Sequence, residues 1–414
     1  MTTADVEVSI GDRSRSGSRA LIAAHGVSRF GDWFLAAALP THVFAVTGSP
    51  FAASAVFIAS VAPYLLGAIV GRLLDRGDPP RLIVVGNVAA GIALLPILVM
   101  ADVSFLPMVA VVVTLVETSF SQLSFVGTLT LAPRVVAPEH RLTIQGRLVA
   151  TDPVARLVAP PIGGLVYAAW GLEAAAAVDL ATYLLAAGLV WRARARLAVT
   201  EEPAGAGDGE PAGGCDRLGV LPAFRRLLIV TAVGTMGQGA LLAVTVPLVI
   251  EVLEYGPRGV GLVMGIVGAG AVAATVGSSA LMRQRPFAVL LAVPLLAYGI
   301  AAAVAAADLG TAVSVVAFAL LGACPVVTLL GGNKIIVERV RPAWYGWAHG
   351  VGGAVYAVGL LVGSIVGGLV AEFFSPQGAF LLAATALVAG AAVAAGGRDF
   401  DRPTPVERQD AEAV

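Results

Sequence analysis

Glu117 has the setting that says most about chemistry. It stands about 11 residues inside an apolar stretch, roughly 17 Å along a helix that rises about 1.5 Å per residue, and so lies near the middle of a bilayer. An ionisable group at that depth costs about 2.5 to 3.5 kcal/mol on insertion scales, which makes it a functional candidate by default. A carboxyl there can carry a proton or recognise a cation. Arg156 enters the next stretch by about ten residues, roughly 15 Å, and reaches a similar depth. Two partners are open to it: Glu117 on a neighbouring helix, or Asp152, one turn earlier on its own face in the favourable acid-first order. Asp32, about two turns inside the first stretch, is the second carboxyl of interest, with Arg29 three residues before it. The same spacing suits a structural capping or pairing role near the interface. Asp179 reads as a helix-packing acid. The second half is nearly free of charge at mid-depth and offers Gln238, Thr328 and His349, of which Gln238 and Thr328 are candidates for a cavity wall. Coupling chemistry is therefore expected within residues 26–191.

Composition decides which elements position these groups. The chain is 58% hydrophobic and only 13% charged, with a mean hydropathy of +0.88, whereas about a quarter of a soluble domain is charged. Apolar stretches near 26–46, 51–71, 82–100, 106–130, 146–168, 174–191, 226–250, 258–281, 286–306, 311–333, 347–371 and 378–397 are each about long enough to cross a bilayer. At that length the backbone satisfies itself only as helix, because a barrel would alternate over about ten residues. The two halves also repeat. Pro40 and Pro50 recur as Pro247 and Pro257, and Gly163-Gly164-Leu165-Val166 recurs as Gly367-Gly368-Leu369-Val370. The expected fold is an all-α membrane protein with twelve transmembrane helices in two pseudo-symmetric six-helix halves.

Arginine sets the orientation. The loops on one side hold Arg72, Arg76, Arg81, Arg134, Arg141 and many more, while those on the other hold only Arg258, so the positive-inside rule places both termini in the cytoplasm. The organisation that follows is a cytoplasmic N-terminal tail (1–25), a six-helix bundle (26–191), a cytoplasmic linker (192–225), a second bundle (226–397) and a cytoplasmic tail (398–414). The linker centre, Glu201 to Gly214, is too rich in Gly, Pro, Ala and acid to bury a core, and Asp216 to Arg226 suits a short amphipathic helix on the inner leaflet. Cys215 and Cys324 fall at different depths and suggest no disulfide. Gly268-Ala269-Gly270-Ala271-Val272-Ala273 has the letters of a dinucleotide loop but follows no strand, and reads as helix packing. Lys334, the single lysine, lacks phosphate-loop spacing. His25, His42, His140 and His349 make no metal-ligand spacing, so no metal or other cofactor is expected. His42, near the outer end of the first stretch, suits a proton relay, but reads better as a satisfied polar residue. Basic residues spread around helix ends do not imply nucleic acid.

Three motifs carry a resemblance. Gly71-Arg72-Leu73-Leu74-Asp75-Arg76-Gly77-Asp78-Pro79-Pro80-Arg81, at the end of the second stretch, resembles the signature loop of the major facilitator superfamily at Gly71, Asp75 and Arg76. Asp78 and Pro79-Pro80 depart from that pattern, and Met282 stands where a second copy would place the acid. A Gly there would allow close helix approach, and the Asp would bond to helix termini or an arginine. In the fifth stretch, Ala155-Arg156-Leu157-Val158-Ala159-Pro160-Pro161-Ile162-Gly163-Gly164 is similar to the fifth-span run of drug-exporting antiporters at Pro160, Gly163 and Gly164. The start, Ser28-Arg29-Phe30-Gly31-Asp32-Trp33, is similar to the twelve-span drug:proton antiporter branch.

The resemblance implies a secondary transporter that exports a small amphipathic compound by proton antiport, alternately opening a central site to either side of the membrane. Its partners would be the substrate, protons and the lipid bilayer, and it would act as a monomer. Import of a small metabolite is the alternative, and would need more hydrogen-bonding side chains in the cavity than the sequence offers. A non-transporting sensor or membrane enzyme would need a cluster of reactive polar groups at one face, which is not evident, so no enzyme activity is expected. Heavy use of Ala, Gly, Val and Arg with one Lys suggests a bacterial inner or plasma membrane.

Overall fold

The structure, a computed structural model, describes residues 3–100, 106–136, 140–197, 222–282, 285–339 and 345–397. The centre of the linker with residues 216–221 of the expected amphipathic stretch, and the tail 398–414, lie outside the described residues, while residues 222–226 of that stretch open the seventh span's helix. The helices run in order α1 (Thr3–Thr47), α2 (Pro50–Val61), α3 (Gly67–Arg76), α4 (Pro79–Ala93), α5 (Leu95–Met100), α6 (Leu106–Leu131), α7 (Arg141–Ala193), α8 (Pro222–Pro247), α9 (Gly256–Met282), α10 (Phe287–Ala306), α11 (Thr311–Arg339), α12 (Tyr345–Phe373) and α13 (Pro376–Ala395).

Among the described residues, nine helical segments are long and apolar enough to cross a bilayer. One of them, Thr143–Ala193, has 51 residues, over twice what a bilayer needs. It doubles back at Gly171, where φ is 82° and ψ −176°, a backbone that a Cβ would strain. Its two limbs are thus the fifth and sixth spans. The first span is α1, its hydropathy lowered by Arg29, Asp32 and His42, and the second is α2 with α3. Twelve transmembrane helices result, and the fold is all-α.

Two spans expected to be continuous are interrupted. Between α2 and α3 the chain tightens into a 3-10 turn at Ala62–Leu66 that contains Pro63, and α4 gives way to α5 at Leu94, two residues before Pro96. Hydropathy cannot see these breaks, because proline removes a backbone donor without making the stretch polar. Elsewhere local chemistry sets the ends: Ser49 caps α2 through the Ala52 amide at 3.1 Å, and Ser375 caps α13 through Gly378 at 3.0 Å, each with a proline at the first helical position.

The chain divides into two compact units. The first comprises Met1–Gly209 with Glu254–Gly268, and the second Glu210–Leu253 with Ala269–Val414. In the first, α1 packs along α7 and α4 along α6; in the second, α8 packs along α12 and α10 along α11. The repeat is visible in single contacts. Gly163 on the fifth span lies against the Phe34 carbonyl, and its counterpart Gly367 lies against Ala240, close to the position that corresponds to Phe34. The halves are pseudo-symmetric bundles.

Candidate functional site

Four helical limbs of the first unit bring their polar side chains to one place. From α1 come Arg29, Asp32 and Trp33; from α6, Glu117; from the first limb of α7, Asp152 and Arg156; from its second limb, Asp179 and Tyr183. Arg29 and Asp32 share a face because residues three apart are neighbours on a helix. The Arg29 guanidinium donates to Asp32 Oδ2 at 2.5 Å and, through Nε and Nη2, to Asp152 Oδ1 at 3.0 and 2.9 Å. Trp33 Nε1 donates to the same Asp152 oxygen at 3.0 Å. Arg156 completes the fork: its Nη2 lies 3.6 Å from Asp152 Oδ2, and its guanidinium stacks 4.1 Å from the centre of the Trp33 ring.

The other side of Asp32 is held by a phenol. Tyr183, fully buried, donates to Asp32 Oδ1 at 2.7 Å and is also hydrogen-bonded to Glu117 Oε1. Thr118 Oγ1 donates to Glu117 Oε2 at 3.1 Å. A phenol carries a single hydrogen. To bond two carboxyls it must donate to one and accept from the other, so a carboxyl hydrogen completes the arrangement. Asp179 stands beside this group. Its Oδ1 accepts from Thr182 at 3.3 Å and abuts Gly31 of α1, while its buried Oδ2 has no hydrogen-bond partner. Four carboxyls therefore face two guanidiniums across one network, buried around Glu117, Asp179 and Tyr183 and partly exposed at Asp152 and Arg156.

Of the two partners open to Arg156, the structure selects Asp152, and Glu117 pairs with Tyr183 instead. Asp179, read as a packing acid, does pack against Gly31 of α1 and also stands near Asp32 and Glu117. Tyr183 was not foreseen. A phenol in an apolar helix gives no charge signal, and only its place one turn after Asp179 marked it. His42 has Nδ1 3.2 Å from the Tyr167 hydroxyl, with the two rings edge to face.

The remaining candidates divide. Pro160, Gly163 and Gly164 form a packing seam: Gly163 meets α1 at Phe34, a Cβ at Gly164 would come within 3.1 Å of Gly261 Cα, and Gly261 itself lies against Pro160 and Pro161. At Gly71 an added Cβ would have no heavy atom within 4 Å among the described residues. Gly77 is the crowded one, against Leu82. Arg76 ends α3 exposed, and the Asp75 side chain lies outside the described residues. Gln238 and Thr328 are half-buried in the second unit, where Thr328 gives its hydroxyl to Cys324 of its own helix at 3.0 Å.

The Major Facilitator Superfamily model matches residues 21–359. No curated protein matches the sequence. Among solved structures, the chain is similar to a bacterial homologue of the iron transporter ferroportin in an inward-facing state, at 16% identity and a TM-score of 0.74 over 93% of this chain and 99% of that one. It is similar to the peptide transporter POT in complex with alafosfalin, at 13% identity and a TM-score of 0.75 over 92% and 93% of the two chains. The nucleoside transporter NupG shares 13% identity and a TM-score of 0.72 over 93% and 100%. With the family pattern running through both pseudo-symmetric halves and the transporter fold shared over most of its length, this multi-pass membrane protein belongs to the Major Facilitator Superfamily.

Proposed function

We propose that the protein is a proton-coupled secondary transporter that exports small amphipathic compounds, with Asp32 and Glu117 as its proton-carrying groups. The observation that carries this reading is the pair of carboxyls on one buried phenol, an arrangement one hydrogen short unless a carboxyl supplies it. Such a unit has two neighbouring charge states, with and without that proton, and low-dielectric surroundings make the difference large. Arg29 ties it to Asp152, so a change of charge at Asp32 is felt by the fork that holds Arg156. Protonation and the recognition surface are thereby linked.

Export, rather than import, is supported by the likeness of Pro160, Gly163 and Gly164 to the exporters' fifth-span run. The substrate preference is supported by exposure. Glu117 is enclosed at 9%, whereas the Arg156 side chain is 28% exposed beside the Trp33 ring. A guanidinium with an aromatic face suits a neutral or anionic amphiphile with an acceptor group. The single chain is taken as the transporting unit, with both termini cytoplasmic by the arginine bias.

The test is efflux of neutral, anionic and cationic fluorescent amphiphiles from bacterial cells that lack their own exporters, with and without a protonophore. Efflux that the protonophore abolishes and Glu117→Gln impairs is the expected result. Accumulation in place of efflux would reverse the direction, and transport indifferent to both the protonophore and the Glu117→Gln and Asp32→Asn variants would overturn the coupling assignment.

A further inference from the structure

A polar path leaves the carboxyl pair inside the first unit. On α1, His25, Ser28, Arg29 and Asp32 follow the three-and-four spacing of one helix face. On α6, Glu117, Ser121, Ser124 and Thr128 do the same. The helices run antiparallel, with Ser121 beside Asp32 and the Phe125 ring 5.5 Å from that of His25, so the two faces run side by side from the acids towards the N-terminal end of α1. Between them and α4 lies a narrow cavity whose polar lining is His25, Ser28, Arg29, Asn87, Ser121, Ser124 and Thr128. Its volume of about 10 Å³ suits roughly one water at a time.

These groups sit deep in the bundle. His25, Ser28, Ser121, Ser124 and Thr128 are each at most 7% exposed, and Asn87 only 2%. Asn87 donates Nδ2 to the Ile83 carbonyl at 2.8 Å, yet its buried Oδ1 has no partner in the protein. A buried amide oxygen left bare costs about 1 to 3 kcal/mol, and the cavity it lines offers it a water. Ser124 and Thr128 commit their hydrogens to the backbone carbonyls of Ile83 and Ser124, which leaves their oxygens to accept. The histidine ring can take a proton on one nitrogen while giving one from the other. The charged groups that face it are Arg29 from its own helix and Asp152 from α7.

We propose that protons reach Asp32 and Glu117 through the first unit itself, by way of this water-sized path between α1, α4 and α6, with His25 as the relay at its inner end. The proton then needs no passage through the space the substrate occupies, and Ser121 is the last hydroxyl before the carboxyl. This rests on the reading of Asp32 and Glu117 as the proton-carrying pair.

The experiment uses the full-length protein in liposomes, with proton flux followed by an enclosed pH dye and substrate–substrate exchange measured at equal pH on both sides. Asn87→Leu fills the path; His25→Phe keeps a ring against Phe125 and removes the relay. Each is expected to slow proton-coupled net transport by about tenfold or more while exchange stays within about twofold, and Asn87→Ser, which reopens a polar lining, to recover most of the rate. Net transport at the wild-type rate in His25→Phe and Asn87→Leu would overturn the path while leaving the carboxyl pair intact. Loss of exchange and net transport together in both variants would also overturn it, because the residues would then serve the substrate step. Wild-type protein that moves substrate without moving protons would instead overturn the carboxyl pair's role, and the path with it.

Discussion

One hydrogen on Tyr183 serves two carboxyls, and that shortage makes single-atom changes informative. Tyr183→Phe keeps the buried ring and removes only the oxygen that joins Asp32 to Glu117. Both acids then lose a partner, a loss worth about 1 to 3 kcal/mol. The expected outcome is a folded protein whose proton-coupled transport collapses and whose rate-against-pH curve changes shape, since two acids joined through one hydrogen titrate as a pair and two separated acids do not. Asp152 makes the complementary case. It receives both guanidiniums and Trp33 Nε1, so Asp152→Ala leaves Arg29 leaning on Asp32 alone and is expected to cost about 1 to 3 kcal/mol. Arg156→Ala breaks a 3.6 Å contact at a group 28% exposed and should cost about 0 to 1 kcal/mol. Thermal unfolding of the two variants in one detergent checks the order, and equal losses would contradict it. The sequence exposed the charged members of this network because charge at mid-depth is expensive. It left the Arg156 partner open, since helix spacing alone allows both answers, and it hid Tyr183, whose importance lies in a meeting of residues 66 and 151 positions apart.

At the scale of helices, small residues set how closely the limbs approach. Gly163 lies against the Phe34 carbonyl, and a backbone cannot step aside as a side chain can. Gly163→Ala is therefore expected to lower stability by about 1 to 3 kcal/mol and to loosen α1 from α7, which holds Asp152 within reach of Arg29. Gly71→Ala, with open space around its new methyl, should fall within about 0.5 kcal/mol of the parent. Melting temperatures measured side by side would expose an inversion of this order. The two glycines look alike as letters, and both belong to runs that resemble family motifs; only the packing separates them. Helix existence was legible from hydropathy over nearly the whole chain, because lipid demands long apolar stretches. The internal breaks at Pro63 and Leu94 were not, because an apolar run stays apolar through a break. The turn at Gly171 was legible as a gap between two stretches, although not as a single left-handed residue.

Across the whole molecule the two halves share packing but not charge. Gly163 and Gly367 occupy matching seams in their own bundles, which is the duplication that the repeated Gly-Gly-Leu-Val runs announced. The network of Arg29, Asp32, Glu117, Asp152, Asp179 and Tyr183 has no counterpart among the described residues of the second unit, where one charge pair is Lys334 and Glu338, 3.9 Å apart with Glu338 half exposed. The second half instead packs through close glycine contacts, as where Gly239 meets the Leu360 carbonyl and Ser364 donates back to Gly239 at 3.1 Å. If duplication left both halves with the scaffold and one with the proton chemistry, then removing the ion pair from the second half should not touch coupling. Lys334→Met with Glu338→Gln is expected to keep proton-driven transport within about twofold of the parent, because a weak, partly exposed pair contributes roughly 0 to 1 kcal/mol, whereas Asp32→Asn alone abolishes it. Transport driven by an imposed pH gradient in liposomes reads both. Coupling lost in the double variant, with substrate exchange at equal pH retained, would mean that protons are carried by both halves.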